Sequence, residues 1–149
     1  MRKWILSALA LTVFCAAGEA QAVDFFGLVT TGTPQQIQAA IDQGAQVNVH
    51  GPQGRTPLMI AAMWNPNPEA VSTLLKAGAE VDARSKRGRT ALMIAAESSL
   101  SPEIVTMLLK AGSDAKLKDN AGKTALDYAQ GNAALKGTSA HDALAAASQ

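Results

Sequence analysis

The chain has 149 residues, with 13 lysines and arginines against 12 aspartates and glutamates, two histidines and one cysteine. A formal net charge of +1 excludes bulk electrostatic attraction to nucleic acid. One cysteine excludes an internal disulfide framework and a cysteine-ligated metal. Met1, Arg2 and Lys3 make a basic start, Trp4–Phe14 is an uninterrupted mostly apolar run, and Ala20-Gln21-Ala22 is an A-x-A cleavage pattern. The run falls well short of the about 20 residues that span a bilayer, so 1–22 reads as a secretory signal peptide cleaved after Ala22. Phe14 stands before Cys15 where a lipid-attachment motif needs a small residue, so no membrane anchor is expected after cleavage. Cleavage leaves a single domain over 23–149, with basic and acidic side chains in equal number and no cysteine. The expected location is periplasmic or secreted, and stability must come from packing alone.

Beyond the cleavage site one period, 34, organises the chain. It separates Gly54, Gly88 and Gly122, then Thr56, Thr90 and Thr124, then Leu58, Leu92 and Leu126. Gly44, Gly78 and Gly112 keep the same interval, and so do Pro34, Pro68 and Pro102. A repeat of this length means stacked supersecondary units, none of which buries its apolar face alone. In each unit Thr56-Pro57 opens a short helix, the hydroxyl capping free N–H groups and proline suiting the first turn. Leu58, Ala61 and Ala62 form its apolar stripe. Asn65-Pro66-Asn67-Pro68 is a loop that starts a second helix, with Asn67 as cap and Val71, Leu74 and Leu75 at helical spacing. Gly78 stops that helix in the left-handed region. Ala79–Arg87 then projects as a hairpin-like finger, and Gly88 turns into the next unit. Ser101, Pro102, Ile104, Val105, Leu108, Leu109 and Gly112 repeat the rhythm.

Gly54–Ala62 (G-R-T-P-L-M-I-A-A), Leu74–Ala83 (L-L-K-A-G-A-E-V-D-A) and Gly88–Ala96 (G-R-T-A-L-M-I-A-A) closely resemble the ankyrin repeat. Gly122–Ala129 (G-K-T-A-L-D-Y-A) is similar to a terminal unit of that family. The resemblance implies an all-α solenoid of helix-turn-helix units with β-hairpin-like fingers, its repeats at about 24–53, 54–87, 88–121 and 122–145. The chain departs from the family in two ways. The usual ankyrin period is about 33, and the extra residue here falls in the loops at 65–68 and 99–102. Met59 and Met93 stand where the family often has histidine, replacing a hydrogen-bonding group by adaptable apolar packing.

What the resemblance implies about function is protein binding through finger tips and the concave face. Carried over by position, the contact candidates are Arg55 with His50, Pro52 and Gln53 in the first finger, and Arg84, Lys86, Arg87 and Arg89 in the second. Lys118, Asn120 and Lys123 belong to the third finger, while Met63, Trp64, Glu97 and Ser98 lie on the helical face. Arg84–Arg89 concentrates four basic side chains in one short stretch, and stacking would line them up with Arg55 and Lys123. Such a stripe is either a docking surface for an acidic protein partner or a solvated face that keeps the protein soluble. Trp64, with Met63 beside it, would give the stripe an apolar centre.

Catalysis finds no constellation. His50 and His141 lie far apart without metal-ligand spacing, and the glycines are explained by turns. No catalytic residue, metal or cofactor is expected. The expectation is a monomeric, non-catalytic binding module that shields, inhibits or scaffolds an exported enzyme. The alternative is a binder of a non-protein polyanion; too few aromatics for base stacking argue against nucleic acid.

Overall fold

A computed structural model describes residues 25–98 and 101–149. The proposed signal peptide, its cleavage site and Cys15 lie outside the described residues. Eight α-helices follow one another there: α1 (25–31), α2 (Pro34–Asp42), α3 (Pro57–Trp64), α4 (Pro68–Lys76), α5 (Ala91–Ser98), α6 (Pro102–Lys110), α7 (Ala125–Ala129) and α8 (Ser139–Ala147), with one 3-10 turn at Pro52–Gly54. No strand occurs among the described residues.

Local chemistry sets the helix ends. Thr56 caps α3 by accepting from Met59 N at 3.4 Å, and Thr90 accepts from Met93 N at the same distance. Asn67 caps α4 through Glu69 N at 2.9 Å. Proline opens α2, α3, α4 and α6, where a missing N–H costs nothing. After α2, α4 and α6 the chain turns at Gly44, Gly78 and Gly112, with φ of 101°, 91° and 92°. These are left-handed helix stops that disfavour any residue with a Cβ.

The helices stack in two layers. α3 packs on α5 and α5 on α7, while α2, α4, α6 and α8 stack behind them in the same order. Leu58, Leu92, Val71, Leu74, Ile104, Val105 and Leu108 are buried between the layers. Ala61, Ala62, Ala95 and Ala96 are also buried, their small side chains suiting close approach of the inner helices. Met59 and Met93, 1% exposed, fill the sites where a hydrogen-bonding residue was traded for apolar volume. Leu135, Ala140 and Leu144 extend this core, so the alanine-rich last segment packs as α8 against α6 and α7.

Polar side chains stitch the units together at the same period. Asn48 donates to Gly78 O at 3.0 Å and accepts from Glu80 N at 2.8 Å. One unit on, Asp82 Oδ1 accepts from Ser113 Oγ and Asp114 N, each at 3.0 Å. Asn65, in the loop that carries the extra residue of each repeat, is buried and donates to Val29 O and Gly32 O at 2.9 and 3.1 Å. Asn132 likewise reaches back one unit, donating to Ala96 O at 3.1 Å. The longer loop therefore anchors one unit on the one before it.

The fingers close as hairpins without a strand ladder. Gly51 N donates to Arg55 O, Ser85 N to Arg89 O and Asp119 N to Lys123 O, at 2.9–3.0 Å. Neighbouring fingers are joined by Lys86 N to Gln53 O at 2.9 Å and Asn120 N to Arg87 O at 3.1 Å. At the second finger Gly88 has φ +74°, and an added Cβ would strike Asn120 Oδ1 and sit 3.0 Å from Asn120 N. Gly122 has φ +76° with nothing within 4 Å. Gly122→Ala is expected to cost about 1–2 kcal/mol, the left-handed penalty alone. Gly88→Ala should cost clearly more, since it also pushes the third finger off the second. Equal urea midpoints for the two variants would contradict this inter-finger packing.

Candidate interaction surface

Two pockets lie where fingers meet inner helices, and they differ in chemistry. Phe26, Ile60, Ile94 and Tyr128 recur at the repeat interval and form one register column on the inner helices. At the N-terminal end, Phe26, Thr30, Ile60, Trp64, Arg55 and Gln53 line a groove of about 410 Å³. Gly51 sits so close to Phe26 that a Cβ there would lie 2.6 Å from the ring. Trp64, the last residue of α3, is 59% exposed and is the one exposed large apolar side chain among the described residues. Met63 is half-buried beside it.

The second pocket, towards the C-terminus, is more polar, about 490 Å³ in volume, and bordered by Lys86, Arg87, Asn120 and Lys123. Its floor is a packed charge cluster. Arg89 ion-pairs with Glu97 and lies over the Tyr128 ring, 4.4 Å from its centre. Lys123 approaches the same ring at 5.5 Å. The Tyr128 hydroxyl donates to Asp119 Oδ2 at 2.5 Å, and Asp119 Oδ1 accepts from Ala121 N and Lys123 N at 2.9 and 3.0 Å.

These bonds favour a charged Asp119. The Tyr128 hydroxyl, the Lys123 and Ala121 amides and the Arg89 charge hold its carboxyl below the usual range, although burial pushes the other way. The same hydrogen bond, with burial, raises the Tyr128 hydroxyl above its ordinary value. Because the native carboxyl is depressed, its contribution is present above the ordinary value of 3.8 and is lost as pH falls through the native one. Asp119→Asn should therefore weaken the protein at neutral pH and flatten its acid limb. Urea midpoints followed from neutral pH into acid test this; an unchanged acid slope would mean that Asp119 does not carry it.

The basic residues divide into two groups. Lys86, Arg87, Lys118 and Lys123 are exposed, and none has an ion-pair partner among the described residues. Arg84 and Arg89 instead serve the scaffold. Arg84 donates to Lys118 O at 2.5 Å, tying the second finger to the third, and the Arg89 side chain is only 14% exposed. His50 is exposed in the first finger, and His141 lies 3.8 Å from Asp142 on α8. Phe26, Ile60, Asp119 and Tyr128 escaped the sequence reading, although the repeat interval running through 26, 60, 94 and 128 was a signal for three of them.

A profile of ankyrin repeats in three copies matches residues 27–119 and again 67–137. The chain belongs to the ankyrin-repeat family. Its all-α solenoid of paired helices and projecting fingers is the ankyrin architecture. Ankyrin repeats are protein–protein interaction modules and typically not catalytic. No relative among curated proteins matches the chain. Among the described residues, no group of three or more His, Cys, Asp or Glu side chains could hold a metal. No helix there is long and apolar enough to cross a membrane.

Proposed function

We propose that this ankyrin protein is an exported, monomeric and non-catalytic module that docks an acidic protein partner along the groove between fingers and inner helices. By covering that partner it would shield, inhibit or scaffold an exported enzyme. The observation that carries this reading is an apolar pocket edged by the exposed Trp64 together with a second, polar pocket edged by Lys86 and Arg87, which are exposed and have no ion-pair partner among the described residues. An apolar anchor ringed by charge is the usual layout of a protein interface, with affinity at the centre and steering at the rim. The export assignment rests on the basic, apolar and A-x-A segments of residues 1–22.

The test is capture from an extract of exported proteins. One bait is the wild type; the other carries Trp64→Ala, Lys86→Ser and Arg87→Ser. Arg84 and Arg89 stay intact because they hold fingers and helices in place. A protein retained by the wild type and lost by the variant supports the assignment. Identical captures would move the binding surface to another face. The second reading, a non-protein polyanion, is favoured by the unpaired cations alone. It would show as binding that is indifferent to Trp64 and collapses steeply with salt.

A further inference from the structure

Arg55 and Arg89 occupy one register, a single repeat apart, at the foot of successive fingers. Each reaches the side chain eight positions further on. In the third unit that side chain is Glu97, and the guanidinium is neutralised. In the second unit it is Met63, whose Sδ lies 4.0 Å from Arg55 Nη1. A thioether is a weak acceptor without charge. Arg55 therefore has no counter-charge among the described residues, while its twin has one. Nor does it sit at a solvated tip: it is half-buried and lines the apolar groove with Phe26, Ile60 and Trp64.

We infer that this groove docks a partner segment in which a carboxylate stands beside a bulky apolar side chain. The carboxylate takes on Arg55 the place that Glu97 takes on Arg89, and the apolar side chain covers Trp64 and Ile60. This rests on the docking face proposed above and names what its N-terminal end recognises. Charge complementarity selects the acid, since a half-buried cation beside apolar walls gains most from a paired anion. A fatty acid would offer the same two groups. Sites for small molecules bury about 70–90% of the ligand, however, and a groove whose tryptophan is 59% exposed suits a chain laid across it.

Met63→Glu is the deciding variant. It supplies the counter-charge internally, as the third unit does, and so blocks docking without threatening the fold. Its thermal midpoint should match or exceed that of the wild type. Met63→Leu keeps the apolar surface and leaves Arg55 unpaired. The probe is a displayed library of random peptides selected on the purified full chain. Enriched peptides are expected to place an acidic residue within about two positions of an aromatic or branched aliphatic one, the reach of adjacent side chains on an extended strand. Met63→Leu, which keeps an apolar side chain and adds no counter-charge, should weaken their binding far less than Met63→Glu. On Met63→Glu and on Trp64→Ala they should lose ~10- to 100-fold, as expected for a charge-assisted pair or a buried anchor.

Peptides that bind Met63→Glu as tightly as the wild type overturn the inference. If they still depend on Lys86 and Arg87, the wider docking face survives. Selection that enriches nothing on the wild type overturns both readings together. Tighter binding of dodecanoate than of any peptide, or a concentration-dependent dimer abolished by Met63→Glu, replaces the proposed occupant by a lipid or by a second copy.

Discussion

Leu92→Ala is expected to lower unfolding stability by about 3–5 kcal/mol, the upper range for a leucine truncated in a rigid core. Leu92 is fully buried on α5. That helix is clamped from three sides, by α3 before it, α7 after it and α6 behind it. Walls held from several sides cannot collapse into the cavity, so nearly the full void is retained. The effect should also be global, because a solenoid is stable only through contacts between neighbouring units. Leu126 holds the same register one unit later but is only half-buried on the five-residue α7. Leu126→Ala should cost roughly 1–2 kcal/mol, since less surface is withdrawn from water and the site can relax. Urea unfolding of the two variants compares them directly. Equal losses would mean that the fourth unit is as tightly enclosed as the third.

Trp64→Ala should weaken partner binding by about 2 kcal/mol or more while leaving the unfolding midpoint close to that of the wild type. The ring is more than half exposed, so little core is lost with it. In the proposed complex its apolar area would be covered by the partner, and the change should appear mainly as faster dissociation. Substituting Lys86 and Arg87 by serine should do the opposite. Association slows and the salt dependence of binding shrinks, because exposed charges steer the encounter more than they hold the complex. Kinetic binding measurements at two ionic strengths separate these effects. A Trp64 variant with unchanged dissociation would place the apolar centre of the interface elsewhere.

The repeat was legible because its determinants are local. Thr56-Pro57 and Asn67-Pro68 act on N–H groups within one turn, and Gly78 and Gly112 each terminate a helix by their own backbone angle. Such signals survive in a linear string, so helices, loops and fingers could be placed from period and caps. The candidate contacts were legible only as a set of positions. Arg84, Lys86, Arg87 and Arg89 look alike in the sequence, and stacking divides them. Arg84 reaches a carbonyl in the next finger, Arg89 is sandwiched between Glu97 and Tyr128, and Lys86 and Arg87 are exposed without an ion-pair partner among the described residues.

The difference between Arg55 and Arg89 is of the same kind. Both stand in G-R-T motifs, and nothing local separates them. Only the side chain eight positions on, brought near by helix geometry, decides that one is neutralised and the other faces an apolar groove. Period, caps and glycines were thus set by the sequence itself, since each acts within a few bonds of its own backbone. Which charges are spent on the scaffold and which remain exposed was decided by tertiary structure, because pairing depends on distances that exist only once the units have stacked.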